Sequence, residues 1–270
     1  MTTLGSGLGF RDEMAEQTFA ARDRIDFVEI IAERFTRSAG ALDDLRAVTD
    51  AFTVIPHGVG LSIGTAGPLD HDYLTKIKKV SDASGSPFFS DHLCMTRATG
   101  IDLGHLGPLW FSEELLKVAI DHVDEVQQTL AKPLILENVA YPCDLPGAPM
   151  AQPEFFHRLV DATGCGVLLD VANVHLNAIN HHFDAVAFIE EMPLHRVVQV
   201  HLAGGYWEDG VLLDSHSHPV HEEVWDLFAL LCEKAPVQGV ILEHDQNFPD
   251  FGLLLDQVDR ARRILAESVA

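Results

Sequence analysis

The feature that most constrains the fold of this chain is a series of short apolar runs separated by amphipathic stretches. Each run holds four to seven residues and is rich in valine, isoleucine, leucine and phenylalanine. Continuous apolar runs of this length are typical of parallel strands that are covered on both faces. The eight runs are LGFR (8–11), DFVEII (26–31), FTVIPH (52–57), PFFSDHL (87–93), PLILENV (133–139), GVLLDVA (166–172), VVQVHLA (197–203) and GVILEHD (239–245).

The amphipathic stretches between these runs predict helices. Eight strands that alternate with eight helices predict an α/β fold of the (β/α)8 TIM-barrel type, in one domain over residues 1–270. A doubly wound open sheet is the alternative. Such a sheet gathers its ligand-binding residues at one crevice, whereas nearly every later strand here ends in a residue of a metal-binding type. The predicted helices span 13–22, 42–52, 70–84, 112–131, 152–163, 185–192, 222–235 and 249–267.

Residues of the types that bind metals stand at or just past the ends of the later runs. Strands that end on one side of a barrel bring their last residues to one place. That place would hold four imidazoles and five carboxylates, which require cations to be stable together. We therefore predict a multinuclear metal site. The candidate ligands are His57, His92, Glu137, Asp170, Asn173, His201, Asp214, His216, Glu243 and Asp245.

The chemistry of these ligands narrows the choice of metal. They mix imidazole with carboxylate and include no thiolate, which suits zinc, iron or manganese. Glu243 and Asp245 lie two residues apart and point to the same side of their strand. Asp214 and His216 form a D-x-H pair on a loop. Together the candidates would fill two or three ions and leave positions open for water or substrate.

Each candidate also has an ordinary structural interpretation. His57 precedes a glycine turn, and His92 follows Asp91, so that pair can hydrogen-bond locally. Asp170 can cap a following turn, whereas His181 and His182 are assigned to the surface at a helix start. The joint placement of the candidates at strand ends favours the metal site over these separate explanations.

The composition excludes several other classes of protein. The net charge is −23, from 41 acidic and 18 basic residues, which opposes nucleic acid or anionic lipid as a partner. The four cysteines are widely spaced, so we expect reduced thiols, and Cys94 is expected to be a small buried side chain. No export signal or membrane-spanning run is present, which predicts a soluble, cytoplasmic protein. P-loop, GxSxG and GxGxxG motifs are absent.

The order of the ligands resembles that of xylose-isomerase-like barrels. It is similar to the series in endonuclease IV, a trinuclear zinc phosphodiesterase, with Asn173 where that family has a histidine. More specifically, the chain from Leu8 to Phe251 resembles a family of multinuclear non-haem iron enzymes, which includes the methanobactin-biosynthesis oxidase catalytic subunit and the cysteine-modifying enzyme of 3-thiaglutamate biosynthesis. The motifs that carry this resemblance are HGVGLSIGTAGPLD, SDHLC, ENVAYP, LLDVANVHLNAINH, HLAGG, DSHSHPV and ILEHDQNFPDF.

The resemblance implies a barrel that holds two or three irons of mixed Fe2+/Fe3+ valence. With O2 as co-substrate, such an enzyme oxidises a cysteine of a ribosomally made precursor peptide, which a small partner protein usually presents. By motif, one iron takes His57, His92 and a bridging Glu137. The second takes Glu137, Asp170, His201 and Glu243. The third takes Asn173, Asp214, His216 and Asp245.

Catalytic roles fall on Glu137 and Asp245, and two positions depart from the family pattern. The family commonly has Asn-Asn after the Asp-Val pair, where this chain has Ala172 and Asn173. It commonly has tryptophan between the last glutamate and aspartate, where this chain has His244. His244 is therefore a candidate for a further ligand or for a change in the pocket.

Three other functions remain open at the level of sequence. A zinc or manganese phosphodiesterase would use nearly the same ligands, but the acidic surface opposes a DNA substrate. An aldose–ketose isomerase uses the same barrel with two divalent ions, but it normally has a lysine near the metals, and the lysines here fall in helical stretches or before a strand. A metal-storage module would not need open coordination positions or long loops at the rim.

Overall fold

A computed structural model describes residues 3–38, 40–98, 101–143 and 145–268. Eight parallel strands close a barrel in the order β1-β12-β9-β8-β7-β4-β3-β2, which confirms the predicted (β/α)8 fold. Each predicted run contains or overlaps one of these barrel strands. In chain order the strands are β1 (Gly5–Gly9), β2 (Phe27–Ile31), β3 (Thr53–Gly58), β4 (Phe89–His92), β5 (Met95–Ala98), β6 (Ile101–Gly107), β7 (Leu134–Glu137), β8 (Gly166–Asp170), β9 (Val197–Leu202), β10 (Tyr206–Glu208), β11 (Val211–Leu213) and β12 (Gly239–Leu242).

Helices surround the barrel, and their starts follow local sequence rules. The Ser112 hydroxyl accepts a hydrogen bond from the Leu115 backbone N–H at the start of α4, and Pro153 lies in the first turn of α5. No helix in the described ranges has the length and apolar character to cross a membrane. The helices are α1 (Ala15–Ala20), α2 (Ala41–Thr49), α3 (His71–Ser84), α4 (Glu113–Leu130), α5 (Gln152–Thr163), α6 (Val171–His181), α7 (Ala185–Glu191), α8 (Glu222–Lys234) and α9 (Phe251–Glu267).

Helix α6 was not predicted from the sequence. It begins directly after Asp170, whose carboxylate accepts a hydrogen bond from the Asn173 N–H at 2.7 Å, as the capping interpretation of Asp170 expected. The assignment of His181 and His182 to a helix start was wrong. His181 is the last residue of α6, and His182 caps that end with a φ of 60°. Asparagines inside the helix weaken its helical signal, because their side chains compete for backbone hydrogen bonds.

Two antiparallel hairpins rise from the rim of the barrel. The first, β5 with β6, follows barrel strand β4, and the second, β10 with β11, follows barrel strand β9. Both lie in loops that leave the carboxyl ends of strands. This is the rim on which a (β/α)8 barrel carries its functional residues.

The barrel interior is built in layers that follow the two-residue period of the strands. A lower layer is apolar and plugs the barrel, because alternate residues of each strand point inward. Its members are Phe27, Ile55, Phe88, Ile135, Leu168 and Ile241. Two residues further along the same strands, toward their carboxyl ends, come Glu29, His57, Ser90, Glu137, Asp170 and Glu243. Polar chemistry therefore sits directly above an apolar floor.

Candidate metal centre

The barrel register places candidate ligands on neighbouring strands side by side. His92 on β4 pairs with Glu137 on β7, and Asp170 on β8 pairs with His201 on β9. All four residues are buried, with exposed fractions of 8% or less. Donor side chains that the sequence separates by many residues are thus lateral neighbours at the carboxyl ends of the strands.

The first donor group consists of His57, His92 and Glu137. The Nε2 atoms of His57 and His92 lie 3.5 and 3.4 Å from the same Glu137 oxygen, Oε2. The Nδ1 atom of His57 lies 2.9 Å from the Ser90 hydroxyl, which holds the ring in place. Two imidazoles and a carboxylate therefore converge on one point.

The second donor group is centred on His201. Its Nδ1 atom lies 3.5 Å from Glu137 Oε2 and 3.1 Å from Glu243 Oε2. Glu137, Asp170 and His201 form a set whose donor atoms all lie within 4.8 Å of one another. Oε2 of Glu137 thus contacts imidazoles of both groups. This is the geometry expected of a carboxylate that bridges two ions.

The third donor group lies closer to solvent. His216 Nε2 is 2.7 Å from Asp214 Oδ1, and His216 Nδ1 is 3.0 Å from Asp245 Oδ2. The side chains of Asp214 and Asp245 are 33% and 35% exposed, so this group faces the opening of the barrel. Asp170, His216 and Glu243 also form a set within 4.8 Å, which links this group to the second one.

Asn173 and His244 differ in how the structure places them. Asn173 is buried, and its amide nitrogen donates to the Asn138 carbonyl at 3.1 Å, which leaves its side-chain oxygen without a partner. His244 is also buried, but its Nε2 lies 3.4 Å from the Asn247 carbonyl and its ring packs near Phe248. His244 belongs to none of the donor groups in the described part of the chain.

Two residues that sequence reasoning missed complete the surroundings. Glu29 Oε1 lies 2.9 Å from Nε2 of His201, on the side of the ring opposite Glu137 and Glu243. Arg11 is buried, pairs with Asp245 through Nε and lies 3.5 Å from Glu243 through Nη2. Glu29 orients the imidazole, and the guanidinium offsets part of the negative charge.

The donor atoms suit a metal centre because several of them are buried and lack the hydrogen bonds that buried polar atoms normally make. A buried polar atom without a hydrogen bond costs about 1–3 kcal/mol, so several such atoms in one place require a further partner. Metal cations bind imidazole nitrogens and carboxylate or amide oxygens of this kind. Asp170 Oδ2 and Asn173 Oδ1 are buried without a hydrogen-bond partner, and Glu137 Oε2, His201 Nδ1 and His216 Nε2 face only other donor atoms of the cluster.

The protonation equilibria also show an excess of negative charge. Burial, together with the charge of Glu137, raises the pKa of Asp170 well above its usual value. Burial opposes protonation of His201, yet the carboxylates of Glu243 and Glu29 raise its pKa well above the usual value. The cluster therefore binds positive charge strongly, as protons or as metal cations.

Asp91 and Cys94 lie on either side of His92 and have structural roles. Asp91 is fully buried and accepts hydrogen bonds from the backbone N–H groups of His92 and Leu61, at 2.7 and 3.2 Å. It therefore ties the glycine-rich loop after β3 to the end of β4. Cys94 is also fully buried, and burial raises the pKa of its thiol, in keeping with an inert side chain.

A known family matches almost the whole chain. Residues 5–266 match the family described as "RiPP precursor modification enzyme MbnB/TglH/ChrH", where RiPP denotes a ribosomally synthesised and post-translationally modified peptide. The chain belongs to this family. Membership confirms the resemblance inferred from the motifs, and together with the barrel it indicates an enzyme.

Relatives of this MbnB/TglH/ChrH family member carry the name UPF0276 protein. One from Streptomyces avermitilis is 36% identical and covers 98% of the chain, whereas the chain spans only 56% of that relative. One from Rhizorhabdus wittichii is 37% identical over 88% of the chain and 86% of the relative. One from Shewanella amazonensis is 35% identical over 98% and 95%.

Solved structures similar to this family member share its fold at low sequence identity. A putative xylose isomerase from Rhodospirillum rubrum aligns with a TM-score of 0.61 and 15% identity over 99% of both chains. A D-psicose 3-epimerase from Clostridium cellulolyticum H10 aligns with a TM-score of 0.58 and 12% identity, over 98% of this chain and 94% of the other. These likenesses establish a xylose-isomerase-like barrel.

Replacement of Glu29 by alanine should weaken metal binding although the change leaves the donors of all three groups in place. His201 would lose the contact on Nε2 that directs Nδ1 toward Glu137 and Glu243. Loss of such an outer contact typically costs about 10- to 100-fold in metal affinity. Competition of the variant with a calibrated chelator measures the effect. Glu29→Gln keeps an oxygen facing His201 and should lose less; equal affinities for Glu29→Ala and wild type would contradict the role.

Replacement of Gly204 by alanine should disturb the loop that carries Asp214 and His216. An added Cβ would lie 2.0 Å from the His218 carbonyl oxygen and 2.3 Å from that of Pro219, and these backbone atoms cannot yield without moving the loop. Overpacking of this kind costs about 1–3 kcal/mol. Urea unfolding measures the loss of stability.

The matched control for this substitution is Gly40→Ala, because nothing lies within 4 Å of the Cβ position at Gly40. We expect its free energy of unfolding to stay within about 0.5 kcal/mol of wild type, as for most exposed substitutions. Equal stability of the two variants would show that the close approach at Gly204 does not constrain the loop.

Proposed function

We propose that this protein is an iron- and O2-dependent enzyme that oxidises a cysteine residue of a ribosomally made precursor peptide. The observation that carries the proposal is the convergence of three overlapping imidazole–carboxylate groups, with unpartnered donor atoms, at the mouth of a barrel of the MbnB/TglH/ChrH family. The family description supports a peptide substrate. The donor set supports a multinuclear metal centre, and iron is one of the metals that imidazole and carboxylate donors suit.

The proposed centre has two enclosed positions and one open position. When bound, iron ions supply Lewis acidity and electrons for the reduction of O2. The first position uses His57, His92 and Glu137; the second uses Glu137, Asp170, His201 and Glu243. The third, nearest to solvent, would use Asn173, Asp214, His216 and Asp245, of which Asp214 contacts Nε2 and Asp245 contacts Nδ1 of the His216 ring.

The protein's own residues orient the donors and exclude water. Ser90 fixes the ring of His57, and Glu29 fixes that of His201. Burial of the inner donors keeps bulk water from the reacting atoms. Asp245 lies at the opening, and we assign to its Oδ2 the proton that a cysteine thiol must release on entering. Arg11 holds the other oxygen of the same carboxylate.

The rim of the barrel suits a peptide and its presenting partner. The two hairpins expose apolar and aromatic side chains, which are typical of protein-binding surfaces when they cluster. Ile101 and Trp207 are the most exposed of these, at 64% and 55%. The set comprises Ile101, Leu103, Tyr206, Trp207 and Val211. We infer that the precursor peptide and a small partner protein contact these hairpins.

The proposal is tested by turnover of the iron-loaded protein with a peptide from a short cysteine-containing reading frame beside its gene. We expect O2 uptake together with a change in peptide mass, and neither when the cysteine is replaced by serine. Zinc-loaded protein should be inactive. Equal activity with zinc would overturn the proposal.

The same preparations distinguish the competing functions. Cleavage of duplex DNA at an abasic site by zinc- or manganese-loaded protein would establish a phosphodiesterase. Interconversion of keto-sugars without O2 would establish an isomerase or epimerase. Either result, without peptide oxidation, would replace the proposed reaction.

A further inference from the structure

A second cluster of metal-binding side chains lies beside the candidate metal centre. It consists of His175 on α6 with His221 and Glu223 at the start of α8, and we call it the α6–α8 cluster. One potential ligand atom from each residue lies within 4.8 Å of the other two. Of the metal-type groups in the described ranges, this is the one that shares no residue with the candidate centre.

The helix geometry separates the α6–α8 cluster from the centre. Asn173 and His175 lie two residues apart on α6, which turns their side chains about 200° away from each other at 3.6 residues per turn. Asn173 accordingly faces Asn138 inside the barrel rim. His175 faces outward to the His221 ring, at 6.0 Å between centroids.

Each histidine of the cluster has a ring nitrogen that makes no hydrogen bond to another described residue and can bind a metal. His221 Nε2 lies 3.0 Å from the Gly205 carbonyl oxygen, which can only accept, so Nε2 carries the hydrogen. In the neutral ring Nδ1 then carries the lone pair, and a backbone carbonyl on the other nitrogen is the usual outer contact of a metal-binding histidine. The ring of His175 packs against His221 and has no hydrogen bond to another described residue.

A small cavity lies against the two histidines of the α6–α8 cluster. His175 and His221 line a cavity of about 10 Å³, whose other walls include Gly204, Gly205 and Asp214. A space of roughly this volume holds about one water molecule. Glu223 is exposed, and one of its carboxylate oxygens lies within 4.8 Å of a ligand nitrogen of each histidine.

We propose that the α6–α8 cluster binds one divalent cation of the zinc type, through His175, His221, Glu223 and a water molecule. Two imidazoles, one carboxylate and a solvent position form a four-coordinate set that zinc accepts. His175 lies on α6, His221 is the last residue of the loop of residues 203–221, which carries Asp214 and His216, and Glu223 lies in the first turn of α8. The bound cation therefore fastens the end of that loop to α6. The proposal for this site does not depend on which reaction the main centre performs.

The test compares the zinc content of the iron-loaded protein and its variants after equilibrium dialysis against micromolar ZnCl2. We expect His175→Ala/His221→Ala to retain one zinc fewer than wild type, with unchanged iron. Glu223→Gln should bind this zinc at least about 10-fold more weakly, the lower end of the loss from a missing outer contact. His195→Ala is the matched control, because His195 is exposed and distant in sequence from the cluster. Equal zinc content in the double variant and wild type would overturn the proposal.

A second measurement does not depend on the folding of a variant. Crystals of the wild-type protein soaked in ZnCl2 should show an anomalous difference peak, at the zinc absorption edge, between the three side chains. Crystals of the double variant should lack that peak and retain those of the main centre. Absence of the peak from the wild-type crystals would also overturn the proposal.

Discussion

The Glu137→Gln variant should lose about two metal ions and at least about 100-fold in activity. Glu137 Oε2 lies 3.4–3.5 Å from imidazole nitrogens of His57, His92 and His201, so the one oxygen serves two donor groups. An amide is a much weaker ligand and carries no charge. Removal of a mere outer contact already costs up to about 100-fold, and removal of a shared ligand should cost at least that much. Elemental analysis and peptide turnover measure the two effects.

A failure to fold would be distinguishable from this loss of metal. Without metal, Glu137 is one of several buried carboxylates, and its neutralisation removes unmatched negative charge. The metal-free variant should therefore melt no lower than metal-free wild type. Glu16→Gln makes the same chemical change at an exposed position on α1 and should leave metal content and turnover unaltered. A Glu137→Gln protein with a full metal complement would exclude the bridging role.

The strands and most of the donors were predictable because one rule governs both. Inward-facing residues recur every second position, and the carboxyl ends of barrel strands meet at one rim. His57, Glu137 and Asp170 each follow an apolar inward residue by two positions and end a strand or stand one residue before its end. The sequence pattern alone therefore predicted which of these side chains meet at the rim.

The same rule, applied in full, would also have found Glu29. It follows Phe27 by two positions in the run DFVEII, but it lies in the middle of the run, where a strand-end criterion passes over it. Arg11 was passed over for a different reason. From the sequence alone, a basic residue near a predicted metal site is expected at the surface. Only the tertiary structure shows that Arg11 pairs with Asp245 and Glu243.

Other elements depend on contacts that no local pattern encodes. Helix α6 contains residues of modest helix propensity, and it is held by the Asp170 cap and by packing of Val174 into the core. The hairpin of β10 and β11 was predicted only as part of a long loop over residues 201–221, and the hairpin of β5 and β6 was not predicted. The identity of the metal is open for a chemical reason, since imidazole and carboxylate donors suit zinc, iron and manganese alike.

Removal of the metal by a chelator should lower the melting temperature by about 8–16 °C. An ion present at roughly 1,000 times its dissociation constant stabilises the folded state by about 4 kcal/mol. For large single domains, such as this chain of 270 residues, each kcal/mol corresponds to about 2–4 °C. The loss is large here because Glu137, Asp170 and Glu243 are buried, and without metal only Arg11 and protonated imidazoles would offset their charge. Thermal melts followed by circular dichroism, before and after dialysis against chelator, measure the shift.

Two further measurements distinguish a shift that arises at the main centre from a general effect of the chelator. Glu137→Gln, which binds about two ions fewer, should shift by less than half as much under the same treatment, because most of the stabilising ligand is already gone. Adding Fe2+ back to the chelated wild type should restore its melting temperature. If wild type stripped of all metal melts where the loaded protein does, cations do not hold the carboxylates together. In that case protons and Arg11 alone compensate the buried charge, and the rim of the barrel is not a metal centre.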